Sequence, residues 1–281
     1  MWERALSLPP EAEPAFLLVA EPFTTRTETF LDGLDATWPD APKIGGVASG
    51  GRGPGTTAVF LDDAVHRSGT VGVALTGNVV VDTLVAQGCK PIGPPMIVTR
   101  SDANLILELD GRPPVEALQD VYRTLDERDR TLFQSALFCG VEMYDTVEHR
   151  DGEFLVRNVL GLNEETEGLY VGDTLKPWQV VRFHVRDAQT SDEDLRRVLG
   201  RFHKANPDAV PAGALLFSCL GRGRGLYGHP DHDSDVFRQV IGDVPIGGFF
   251  CNGEIGPVKG RTFLHGYTSA FALFRPRPDE A

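Results

Sequence analysis

The chain has 281 residues, 41% of them hydrophobic and 24% charged, a composition that excludes a disordered protein and allows a sizeable core. Asp and Glu outnumber Lys and Arg by 40 to 27, and the net charge of −13 excludes non-specific binding to nucleic acid or to an anionic membrane, because both need a broad basic face. No apolar run approaches the roughly 20 residues of a membrane helix, the first residues have no basic-then-apolar leader, and the four widely spaced cysteines are expected as thiols, so a cytoplasmic protein is predicted.

Taken in chain order, residues 16–20 read as an apolar strand, and a helical stretch carrying Phe30, Leu31 and Leu34 follows. Pro42-Lys43-Ile44-Gly45-Gly46 leads into a glycine-rich segment with Ser49 and Arg52, and β-like runs occupy 57–61 and 70–75. A strand at 104–109 ends in an Asp110-Gly111 turn, after which Pro113 and Pro114 start a helix with Val115, Leu118, Val121, Tyr122 and Leu125 on one face. Residues 126–130 read as a solvated charged face, and strands at 154–160 and 179–185 flank an acidic loop at 163–167. Ser191 is expected to cap a helix holding Leu195, Val198, Leu199 and Phe202. The last part brings a strand at 214–218, a helix capped by Ser234 with Val236, Phe237, Val240 and Ile241, the segment Ile246-Gly247-Gly248, and β-like runs at 261–264 and 268–274. The tail from Pro276 is expected to fray.

The order strand, helix, Ile-Gly-Gly, strand, strand thus occurs twice, which reads as an internal duplication. Aligned on Ile44 and Ile246, Ser49 falls opposite Cys251. The expected fold is α/β (α+β-like): two related halves with packed mixed sheets, outer helices, and one cleft where the two glycine segments converge.

The run Ala214-Leu215-Leu216-Phe217-Ser218-Cys219-Leu220-Gly221-Arg222, then Gly248-Phe249-Phe250-Cys251-Asn252-Gly253-Glu254-Ile255-Gly256, then His265, resembles the C-terminal motifs of the FIST family. Gly88-Cys89-Lys90-Pro91-Ile92-Gly93-Pro94 and Leu107-Glu108-Leu109-Asp110-Gly111-Arg112-Pro113 resemble its N-terminal region. The resemblance implies a FIST N-like region over 1–205 and a FIST C-like region over 206–281, intertwined. It also implies a sensory role in signal transduction, recognising a small polar molecule such as an amino acid, with an unidentified signalling partner and no cofactor.

The resemblance, together with side-chain chemistry beside glycines, implies the site residues. Glu254, between two glycines, suits a ligand ammonium; Arg222 and Arg224 suit a carboxylate; Cys219, Cys251, Asn252, His265, Ser49 and Arg52 complete the expected lining. Two other classes stay open. A cysteine-dependent hydrolase or transferase would use Cys219 with His265 and Glu254, and an interaction scaffold would present an exposed apolar patch. A metal at His229-Pro230-Asp231-His232-Asp233 is weaker than a solvated loop there. Gly223-Arg224-Gly225-Leu226-Tyr227-Gly228 fits the dinucleotide fingerprint, but too little chain follows it for that fold. His66, His149, His184 and His203 show no clustering.

Overall fold

The computed structural model describes residues 2–144, 152–207 and 210–277; His149 and the end of the tail lie outside them. The chain forms two compact units, one of residues 1–87 with 193–281, the other of 88–192. In chain order the first unit opens with helix α1 (Trp2–Leu6), strand β1 (Ala15–Ala20), helix α2 (Thr27–Thr37) and strand β2 (Lys43–Val47). The hairpin β3 (Val59–Leu61) and β4 (Ala64–His66) precedes β5 (Thr70–Leu75) and β6 (Val80–Ala86).

The second unit holds β7 (Lys90–Asp102), β8 (Leu105–Leu109), α3 (Pro114–Thr124), α4 (Glu127–Ser135), β9 (Leu137–Glu142), β10 (Phe154–Asn163), β11 (Gly168–Val171) and β12 (Val180–Val185). Its six strands close into a barrel in the order β10-β11-β8-β7-β12-β9. The long strand β7 pairs with β12 along one edge and with β8 along the other, with register irregularities in both pairings. Ile92, Met96, Val98, Ile106, Val181 and Phe183 fill the core, joined by Ala117, Leu118 and Val121 from α3.

Helix α5 (Ala188–Ala205) leads back to the first unit, which is completed by β13 (Gly213–Cys219), the short α6 (Arg224–Tyr227), α7 (His232–Ile241), β14 (Ile246–Cys251), β15 (Glu254–Val258), β16 (Arg261–His265) and β17 (Ser269–Arg275). Two sheets result, ordered β16-β15-β2-β1-β5 and β14-β13-β17-β6. Each borrows strands from the other end of the chain: β15 and β16 extend the sheet built on β1, while β6 edges the sheet built on β13. Alternation of side chains along the strands sorts the core into three layers. Ile44, Phe217, Cys251, Ala270 and Ala272 pack between the sheets. Phe16, Leu18 and Ile255 face Leu31 and Leu34 of α2. Phe271 and Leu273 face Leu195 and Leu199 of α5 and Val236 and Phe237 of α7. The expected α/β architecture, with packed mixed sheets and outer helices, is the one observed.

The pairing around the two glycine segments is alike. β1 runs parallel to β2 and antiparallel to β5, as β13 does to β14 and β17. The register differs by one from the Ile-Gly-Gly alignment. A Cβ on Gly45 would lie 1.8 Å from the Leu18 carbonyl oxygen, and one on Gly248 would lie 1.9 Å from that of Leu216. Gly45 therefore corresponds to Gly248, not Gly247, and the counterpart of Cys251 is Ala48, not Ser49.

Three local expectations are corrected. Helix α5 starts before Ser191: the Thr190 N–H donates to Asp187 Oδ1 at 2.7 Å, and the buried Ser191 hydroxyl donates to the Gly88 carbonyl at 2.8 Å. Helix α7 starts at His232, so Ser234 lies within its first turn and donates its hydroxyl back to the Asp231 carbonyl. The charged run 126–130 is not all solvated: Asp129 is buried and meets Lys90 Nζ at 2.6 Å.

Candidate functional site

In parallel β-α-β arrangements, ligands are taken where the strands end at their carboxyl edge, because loops and unpaired backbone groups gather there. In the first unit the ends of β2 and β14 meet. The Val47 N–H donates to the Gly253 carbonyl at 2.8 Å, the Asn252 N–H donates to the Val47 carbonyl at 3.0 Å, and the Ser49 hydroxyl donates to the Phe250 carbonyl at 2.5 Å. The two glycine segments thus converge, as their sequence similarity led one to expect.

Beneath this junction, the layer between the sheets collects polar groups. Cys219 and Cys251 are register partners on the parallel strands β13 and β14 and are the last residue of each. The side chain of Cys251 occupies the place a Cβ on Gly46 would take, 2.2 Å from its Sγ. Burial first, then the neighbouring Glu254 and Cys219, push the Cys251 thiol well above its ordinary range. Glu254 is fully buried at the start of β15, opposite His265. Its carboxylate accepts the Thr268 hydroxyl at 2.8 Å and the Thr268 N–H at 3.2 Å. His265 is also buried, with Nε2 3.0 Å from the Gly256 carbonyl. A carbonyl only accepts, so Nε2 carries the proton and does not act as a base there.

Arg222 does not join this group. Ser218 and Cys219 point to opposite faces of their sheet, and Arg222 lies with Ser218 on the helix side. Its Nε donates to Asp233 Oδ2 at 2.7 Å and its Nη2 to Oδ1 at 3.0 Å, and Nη2 also reaches the Tyr227 hydroxyl at 2.6 Å. Ser218 and Ser269 donate their hydroxyls to the same carboxylate. Burial pushes the Asp233 pKa up, but the Arg222 guanidinium and the two serines outweigh it and hold the group below its ordinary value. Asp233 had been read as part of a solvated loop; it is the buried anchor of the segment.

Of the remaining expected residues, Ser49 and Asn252 lie at the junction. Ser49 is half-buried, whereas Arg52, Arg224 and Asn252 are exposed. Among the described residues, no three His, Cys, Asp or Glu side chains assemble as a metal site, His229 and His232 included; His232 stacks on Tyr227 with ring centroids 3.6 Å apart. Sequence reasoning missed Glu21, the residue after β1. Its carboxylate is buried and accepts the N–H groups of Phe23 and Thr24 and the hydroxyls of Thr24 and Thr57, so it ties the glycine-rich segment after β2 to the end of β1. Burial pushes its pKa up, but these hydrogen bonds outweigh it and leave it lowered. The only trace of this in the sequence is a lone Glu closing an apolar strand before Thr24-Thr25.

These two carboxyls set an acid dependence. Each has a native pKa below its unfolded value of about 4, so the unfolded chain takes up protons first as the pH falls. Their stabilisation is present above that value and is lost on going below it. Urea midpoints are expected to hold from pH 7 to 5 and to fall below about pH 4.5. The Asp233→Asn variant is expected to show a shallower acid slope; an unchanged slope would remove Asp233 as a contributor.

Comparison with known proteins bears on this geometry. Family models match along the chain, the FIST N domain over residues 3–112 and the FIST C domain over residues 114–257. The uncharacterized protein Rv0628c of Mycobacterium tuberculosis is 39% identical over 264 residues, covering 94% of this chain and 68% of its own. F-box only protein 22 of Homo sapiens is 30% identical over 105 residues, 32% of this chain and 25% of its own. An F-box/LRR-repeat protein of Arabidopsis thaliana is 30% identical over 120 residues, 38% of this chain and 22% of its own.

Proposed function

This chain belongs to the FIST family, and from that premise we propose that it is a sensory domain whose first unit binds a small polar molecule, amino-acid-like in its charges, where β2 and β14 end. FIST domains are associated with sensory roles in signal transduction. The observation that carries the reading is the junction itself: loops from two β-α-β units meet over a buried carboxylate, Glu254, at the carboxyl edge of parallel strands.

Glu254 supplies the negative charge for a ligand ammonium. Arg52 and Arg224, being exposed, are the cations available for a ligand carboxylate, while Arg222 is committed to Asp233. Ser49, Asn252, Cys219 and Cys251 supply the polar lining, and His265 fixes the strand that carries Glu254. The reading needs no cofactor. It includes an origin of the two β-α-β units by internal duplication and a signalling partner that reads the bound state. The cysteine-enzyme alternative is the less favoured, because His265 Nε2 is engaged with a backbone carbonyl.

A thermal-shift screen of reduced protein against amino acids and small carboxylates, repeated on Glu254→Gln, tests this. A ligand at 100 times its Kd is expected to stabilise the native protein by about 2.7 kcal/mol and to leave the variant unmoved. A screen with no responding compound, or equal shifts in both proteins, would overturn it.

A further inference from the structure

We propose that Cys219 and Cys251 form a modification site of their own: a dithiol that small-molecule disulfides oxidise to a bond between adjacent parallel strands. The inference goes beyond ligand sensing, since it requires no ligand and rests on the pairing of the two strands.

Four observations support it. First, the two cysteines are register partners on neighbouring strands, and both face the layer between the sheets. Strand neighbours lie about 4.8 Å apart, within the roughly 4.4–6.8 Å between Cα atoms that a disulfide spans. Second, each is the last residue of its strand, so the small approach of Cβ atoms that a bond requires falls where regular pairing ends. Third, the opposing strand gives way: Gly46 has no side chain where Cys251 Sγ sits. Fourth, the pair is asymmetric in the sense that exchange needs. Cys219 is half-buried and its sulfur accepts the Gly221 N–H at 3.4 Å, whereas Cys251 is fully buried. An accessible sulfur that accepts a backbone N–H suits the first attack, and a buried neighbour suits the second.

The chemistry balances without any other reagent. The Cys219 thiolate attacks one sulfur of the small disulfide; a bond forms to Cys219, the S–S bond of the reagent breaks, and one thiolate departs with the electron pair. The Cys251 thiol then gives up its proton and attacks the Cys219 sulfur, releasing the second thiolate. Two protein thiols are oxidised and one disulfide is reduced to two thiols. Cys139, buried in the barrel core, has Arg157 and Phe183 as its register partners instead of a second cysteine, so it does not compete.

The test is incubation of the reduced full chain with glutathione disulfide, followed by thiol counting in denaturant and peptide mass mapping. The four thiols are expected to fall to two, with a peptide pair joined through Cys219 and Cys251 and lighter by two hydrogens. Cys251→Ser is expected to stop at a glutathione adduct on Cys219, and Cys219→Ser to show neither product; unfolding curves establish that both variants are folded. No loss of thiols, a stable adduct on Cys219 in the unmodified sequence, or a bridge to another cysteine would each overturn the proposal. Because the ligand screen uses reduced protein, failure of either experiment leaves the other unaffected.

Discussion

Replacing Asp233 by Ala is expected to cost about 3–5 kcal/mol of unfolding free energy, the range for breaking a buried ion pair from one side. The reason is what remains. Arg222 has a fully buried side chain, and its charge cannot be neutralised by losing a proton at any ordinary pH. Asp233 accepts two of its hydrogen bonds and those of Ser218 and Ser269, so the substitution orphans donors on β13, β17 and the segment before α6 together. Burying the pair has itself cost solvation, so the pair is not the source of that much net stability. The double substitution Arg222→Met with Asp233→Leu is therefore expected to recover at least half of the loss. Urea unfolding of the single and double variants checks both statements. A single variant within about 1 kcal/mol of the unaltered protein would contradict the account, since that is the size of an ordinary exposed hydrogen bond.

The second large effect lies in the glycine segment. Gly45→Ala is expected to lose more than about 4 kcal/mol or to fail to fold, an effect reserved for a few mechanisms of which a backbone clash is one. The added Cβ would lie 1.8 Å from the Leu18 oxygen and 2.7 Å from its carbonyl carbon. Neither is the end of a flexible side chain, so β1 and β2 must part, and they form the centre of their sheet. Gly248→Ala meets the same obstacle at Leu216 and is expected to behave alike. Gly200→Ala is the control. It lies in α5 with nothing within 4 Å of the added atom, and it is expected to stabilise by about 0.5–1 kcal/mol because a helical glycine is entropically costly. Equal effects at Gly45 and Gly200 would refute the argument from close approach.

Much of the first unit was legible because its elements carry strong local signals. β5 is read to the residue, and Phe30, Leu31 and Leu34 mark α2 by periodicity alone. The glycine segments announced the junction because close backbone approach leaves few alternatives to glycine. What escaped depended on partners remote in sequence. The Ile-Gly-Gly match is off by one because resemblance of letters does not fix which glycine meets a carbonyl. Arg222 was assigned to a ligand because alternation across β13 puts it on the helix side only once β13 is known to end at Cys219 and Asp233 to lie behind it. Glu21 was missed because its partners include Thr57, 36 residues away. The barrel strands β7, β9 and β11 were not read: Pro91, Gly93, Pro94 and Pro95 argue against a strand in β7, Gly140 interrupts β9, and β11 is only four residues long.

The exchange of strands between the two sheets bears on how a nascent chain reaches this structure. Thr262 of β16 bonds to Asp35 across 227 residues, and Arg275 of β17 pairs with Asp82 across 193. Strands made early in this chain are thus completed by strands made much later in it. Until β15 emerges from the ribosome, β2 is a bare, glycine-rich edge with a single charge at its start, Lys43, and such an edge can recruit other chains. Closing such distant pairings is slow, because loop entropy is spent before any contact repays it. A translation product stopped short of β15 would therefore be a template for aggregation rather than a smaller working domain.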